Sequence, residues 1–253
     1  MNGMDVSRRG EQLFERYLNE RGYRWEPHPD LGIGKRPDYL VDAAGARIVC
    51  EVKSFNSDGL FSAPGLKIGS RSMDAVLAPH RDDIKKAASQ LKRLKDRGWP
   101  LMVVLSNPAG YAVPTDPSLV AAAMYGDPIL TAPAFDDGSL GEFTMSGGQN
   151  GRLRIHHTYI SAVAVLRQTS HAAEWARRWI AENHERYSDP ECLVADLLAA
   201  EKIQAPDGGD VFLDVIETMS ESATPLPRDV FDGPRDRRFG PNASRTAIVE
   251  LAD

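Results

Sequence analysis

No apolar run in this 253-residue chain approaches the roughly 18 residues that cross a bilayer, so no membrane-spanning helix is expected. The opening MNGMDVSRRGEQLF lacks the apolar centre of a secretory signal, and the expected address is cytoplasmic. Cysteine is scarce. Cys50 and Cys192 lie far apart with no CxxC spacing and no Cys/His cluster, which argues against a zinc ribbon or a disulfide framework and leaves Cys50 as a small core residue. No internal repeat is present. A surplus of positive charge is missing too: the formal net charge is −6, which disfavours indiscriminate binding to polyanions.

That total hides an asymmetry. Residues 1–100 carry 18 Lys/Arg against 14 Asp/Glu, and the remainder 12 against 22, so a locally basic face is compatible with the acidic whole. Hydrophobic residues make up 42% of the chain, enough for one large core.

Apolar periodicity sets the expected elements. Residues 7–21 put Leu13, Phe14, Tyr17 and Leu18 on one helical stripe, with Ser7 as cap and Gly22 as stop. GYRWEPHPD then reads as a short strand entering a Pro-broken loop, and a hairpin follows. Residues 55–80, rich in Gly, Ser and Pro, read as a mobile insert. Residues 81–97 form a second helix with Ile84, Ala87, Ala88, Leu91 and Leu94 at helical spacing, and WPLMVVLSNP reads as a strand buried on both faces. Further along, a short helix over 118–125, Gly-rich turns at SGGQNG, a strand at YISAVAVL and a helix carrying Trp175 and Trp179 are expected, followed after Ala205 by an extended Pro/Gly/charge-rich segment. The division is a core over 1–107, a continuation of sheet and helices over 108–204, and the terminal segment 205–253.

The hairpin carries the chemistry. In RPDYLVDAAGARIVCEVKS, residues 36–54, a turn centred on Ala44 and Gly45 pairs residues whose numbers sum to 89. Tyr39, Val41, Ile48, Cys50 and Val52 then share one face, while Asp38, Asp42, Arg47, Glu51 and Lys53 share the other with Leu40 and Val49. In this register Asp38 opposes Glu51, and two carboxylates roughly 5 Å apart at Cβ repel each other unless something positive lies between them. A divalent cation with oxygen ligands answers that need, and Lys53 lies one repeat further along the same face. The plainer alternative is a solvated sheet face with an ordinary ion pair, worth under about 1 kcal/mol.

PD at 37–38 and EVK at 51–53, set between a helix holding Glu11 and a helix holding Gln90 in the order αβββαβ, resemble the PD-(D/E)xK nuclease superfamily over about residues 7–107. The resemblance implies an α/β, restriction-endonuclease-like core with a mixed sheet flanked by helices and a C-terminal α+β elaboration. It also implies Mg²⁺, for which Mn²⁺ substitutes, held by Asp38, Glu51 and the carbonyl of Val52, with Glu11 completing the set and Glu15 as its alternative. Lys53 would orient water or steady the transition state, and Gln90 would project toward the site.

The function so implied is a metal-dependent DNA endonuclease in defence against foreign DNA, such as phage, or in DNA repair. The partner is nucleic acid, with a homodimer or an operon-encoded protein partner left open. Lys85, Lys92 and Arg93 are candidates for a phosphate-binding track or for the wet side of a helix. The rivals are a catalytically silent binding or interaction module of the same fold and a nuclease for RNA or branched DNA. His156 and His157, adjacent on an expected strand, point apart and do not suggest a shared metal.

Overall fold

A computed structural model describes residues 3–55, 72–108, 113–131, 135, 139, 144–204 and 208–251. The chain is α/β. It begins with α1 (Gly3–Glu20), β1 (Arg24–Pro27), β2 (Tyr39–Ala43), β3 (Ala46–Ser54), α2 (Met73–Leu91) and β4 (Leu101–Ser106). It continues with α3 (Pro117–Tyr125), β5 (Gly126–Thr131), β6 (Thr144–Asn150), β7 (Ala162–Gln168), α4 (His171–Asn183), α5 (Pro190–Gln204), β8 (Val211–Glu217), β9 (Arg237–Pro241) and β10 (Ile248–Glu250). Eight strands form a mixed sheet in the order β1-β2-β3-β4-β7-β8-β9-β10, while β5 and β6 pair separately. β3, β4 and β7 run parallel, as do β8 and β9; β1, β2 and β3 are antiparallel neighbours.

Alternation along β3 and β4 sorts the core into two layers. Val49, Val103 and Leu105 join Ile84, Ala87, Ala88 and Leu91 of α2 and Val120 of α3 in one buried cluster. On the opposite face Phe14 of α1 meets Tyr39 edge to face, with ring centres 5.4 Å apart. Tyr17 and Tyr23 extend this aromatic layer to Phe231. Gly10 marks the closest approach of α1 to the sheet, because a Cβ there would run into Ser54 Oγ, with Ser106 just behind.

Several stretches differ from the sequence reading. The second helix begins at Met73, eight residues before Arg81, and contains Pro79. Ser72 caps it by accepting the Ala75 N–H at 3.3 Å, and Leu77 and His80 are fully buried, so packing carries the helix across a proline that reads as a breaker. The remainder of the expected mobile insert, residues 56–71, lies outside the described residues. The second difference is the segment after Ala205, which contributes β8, β9 and β10 to the sheet. Its turns are tied down by buried charge. Asp236 accepts from Tyr17 Oη at 2.7 Å, Leu213 N at 2.8 Å and Gly233 N at 2.7 Å, and Arg238 donates to Glu217 and to the carbonyls of Leu226, Pro227, Arg228 and Val230. SGGQN, expected as a turn, lies in β6.

The chain divides into two compact units, residues 1–166 with 213–253, and residues 167–212. These boundaries differ from those expected at 107 and 204. The smaller unit holds α4 and α5, with Trp179 between Trp175 and Tyr187 and the Tyr187 hydroxyl on Asp196 at 2.8 Å. Among the described residues no helix is long and apolar enough to cross a membrane.

Candidate active site

The β2–β3 hairpin has the register that the sequence implies: Tyr39 pairs with Cys50, Leu40 with Val49 and Asp42 with Arg47. Ala44 and Gly45 both take positive φ, 49° and 73°, the geometry a two-residue turn needs to match strand twist. One pair further on, where β2 has ended, Asp38 reaches across to β3 and accepts the Val52 N–H at 2.8 Å.

Glu51 is wholly buried on the α2 side of the sheet. Its Oε1 accepts from the Lys53 ammonium at 2.6 Å and from the Gln90 amide. Its Oε2 is buried and has no hydrogen-bond partner among the described residues. Burial, and then the Asp38 carboxylate, push the Glu51 carboxyl up to about 7, with Lys53 and Lys35 acting in the opposite direction. Lys53 also donates to the Val52 carbonyl at 3.2 Å, so one ammonium holds two of the oxygens expected to bind a cation.

α1 supplies the rim. The Glu11 carboxyl is raised by burial and by Asp38 and is pulled back by His28, which places it within electrostatic reach of Asp38; its Oε1 accepts from Ser7 at 3.4 Å. Glu15, the alternative, is engaged by the Tyr39 hydroxyl at 3.0 Å. Asp83 of α2 was not expected. Burial raises its carboxyl, while the ammonium groups of Lys86 and Lys53 lower it. Residue 83 lies a helical repeat of seven before Gln90, a spacing that could have flagged it.

The basic candidates separate. Arg93 donates to the Ile33 carbonyl at 2.6 Å, on the side of the loop before Asp38. Lys85 and Lys92 belong to the other flank of α2, beside His157, whose imidazole is held below its usual range by burial and by His156, Lys92, Lys85 and Arg152. His157 and His156 lie in the segment before β7, not in a strand, and Tyr159 fixes that segment by donating to the Ala88 carbonyl at 2.9 Å.

Among the described residues no group of three or more His, Cys, Asp or Glu side chains gathers closely enough to form a metal cage. No family model, curated protein or solved structure matches the chain. The donor set nevertheless fits one ion class. Mg²⁺ keeps several of its waters and is held through one or two carboxylates plus substrate phosphate, so two carboxylates and a carbonyl suffice. The unpartnered, buried Oε2 of Glu51 is the observation that calls for such an ion.

Proposed function

We propose that the chain is a Mg²⁺-dependent nuclease of the PD-(D/E)xK kind, with Asp38, Glu51 and Lys53 at its centre. One observation carries the reading: a fully buried glutamate with an unpartnered oxygen, next to a second carboxylate and bonded to a lysine two residues on. A purely structural ion pair would not leave that oxygen bare at a cost of about 1–3 kcal/mol. The element order α1-β1-β2-β3-α2-β4 supports the same reading.

Asp38, Glu51 and the Val52 carbonyl would hold the ion, with Glu11 at the rim. Bound Mg²⁺ would supply Lewis-acid polarisation of a phosphate oxygen and a more acidic water. The protein's own part is positional. Gln90 fixes the Glu51 carboxylate by its hydrogen bond to Oε1. Lys53 places an ammonium where negative charge builds on the phosphoryl oxygens as water attacks phosphorus and the P–O3′ bond breaks, leaving a 5′-phosphate and a 3′-hydroxyl. DNA as substrate, and a setting in defence or repair, rest on the resemblance alone.

The test is incubation of the purified protein with supercoiled plasmid, linear duplex, single strands and RNA, each with Mg²⁺, Mn²⁺, Ca²⁺ or chelator. Cleavage in Mg²⁺ that disappears in folded Asp38→Ala and Glu51→Ala is the expected result. Wild-type rates in either variant would overturn the assignment.

A further inference from the structure

The loop between β1 and β2 contains DLGIGKRPD, and its conformation is held from both ends. Asp30 accepts the Gly32 N–H at 3.1 Å, and Gly32 and Gly34 take φ of 69° and 86°, where L side chains are strained. Two arginines just beyond the C-terminal end of α2 clamp it: Arg93 donates to the Ile33 carbonyl and Arg97 to the Leu31 carbonyl, each at 2.6 Å. The result is a groove lined by Ile33, Lys35, Ser89, Gln90 and Arg93. At one side of it Gln90 bonds to Glu51.

Lys35 is the unusual member. It is exposed, it lies close enough to Glu51 to favour the charged carboxylate, and it makes no hydrogen bond or ion pair among the described residues. A clamped loop thus carries an uncommitted ammonium beside the buried Glu51 carboxylate, an arrangement suited to binding an anion. Arg93 adds a second cation to the same groove, one of its nitrogens being taken up by the loop carbonyl. Lys85 and Lys92 are not among the residues lining this groove and lie within electrostatic reach of His157.

We propose that this groove is a cleft for the nucleic-acid backbone, in which Lys35 and Arg93 take the phosphate next to the one lying against Glu51 and Lys53. The inference rests on the nuclease reading for the identity of the neighbouring phosphate, and it assigns substrate binding to Lys35, outside the EVK motif.

The experiment is fluorescence anisotropy of the full chain with a labelled duplex and a labelled single strand in Ca²⁺ over a series of salt concentrations, beside single-turnover cleavage in Mg²⁺. Lys35→Ala is expected to weaken binding several-fold at low salt and to reduce the salt slope by about 1, the signature of one lost phosphate contact. Lys35→Arg should restore both, and Lys95→Ala, a charge-matched control, should leave both unchanged. Wild-type affinity and slope in Lys35→Ala, failure of rescue by arginine, or an equal loss in Lys95→Ala would each overturn the proposal. If Asp38→Ala abolishes cleavage while Lys35→Ala binds as wild type, the nuclease reading stands and the cleft falls. If no metal supports cleavage yet Lys35→Ala lowers the slope, the cleft stands alone. A wild-type chain that binds neither strand nor duplex overturns both.

Discussion

Replacing Glu51 by glutamine should stabilise the metal-free protein, and by an amount that depends on pH. The Glu51 carboxyl is raised from an ordinary 4.5 to about 7, so ionising it in the folded chain costs roughly 3 kcal/mol more than in the unfolded one. The sign follows from proton counting. Below about pH 4.5 both states hold the proton and the cost is absent. Between about 4.5 and 7 the unfolded chain has released its proton while the folded chain retains it, so stability falls as pH rises; above about 7 the full cost is present.

The amide of the Glu51→Gln variant cannot ionise and is spared that decline. Urea unfolding of both proteins in chelator, from about pH 4.5 to 8.5, should therefore show an advantage of the variant that grows from near zero to about 3 kcal/mol, or roughly 6–12 °C in Tm. Taking the difference cancels the other shifted groups, the raised Glu11 and Asp83 and the lowered His80 and His157, which are common to both. Mg²⁺ should then stabilise the wild type more than the variant, by mass action on the folded state. A pH-independent difference, or a variant less stable than wild type at about pH 8, would refute the reasoning, since it would mean that burial and Asp38 do not dominate the environment of Glu51.

Lys53→Ala should slow single-turnover cleavage by about 10² or more while binding in Ca²⁺ persists, because one preorganised charge is lost and the oxygen ligands are kept. Ca²⁺ should support nucleic-acid binding with little or no cleavage, and chelator should abolish cleavage outright, since the larger ion is looser in geometry; chelator-resistant zinc found by elemental analysis would contradict the donor set. Asp236→Ala should cost about 3–5 kcal/mol in chemical denaturation, because Tyr17 Oη and two backbone N–H groups lose a buried acceptor together.

The hairpin was legible for a physical reason. A tight Ala-Gly turn and strict alternation leave one register, and a slip of one residue would have turned Ile48 and Cys50 out of the core. α2 was legible only in part, because Pro79 reads as a boundary while the burial that overrides it is tertiary. The C-terminal strands were hidden by turn-forming residues whose geometry depends on long-range partners, such as Arg238 on four carbonyls. Lys35 and Asp83 escaped notice because loops have no period and a single helical acid reads as solvated. The expected track of Lys85, Lys92 and Arg93 spans more than one side of the helix and its end. Consecutive helical residues diverge by about 100°, and Arg93 bonds to the Ile33 carbonyl while Lys92 acts on His157.

The position of Lys53 gives the site an internal countercharge. Its ammonium occupies Glu51 Oε1 and the Val52 carbonyl, the same oxygens that a cation would claim, and two positive charges cannot share them. In the resting chain Lys53 holds the Glu51 carboxylate and the Val52 carbonyl; on the proposed nuclease reading it would turn to a phosphate once a cation takes those oxygens. Its side chain is about one-fifth exposed, whereas that of Glu51 is fully buried. On this view the raised Glu51 carboxyl and the engaged lysine share one cause, the burial of that carboxylate and, after it, the neighbouring half-buried Asp38. Removing Lys53 should then raise the Glu51 carboxyl further, which separates its electrostatic part in the resting site from its part in the reaction.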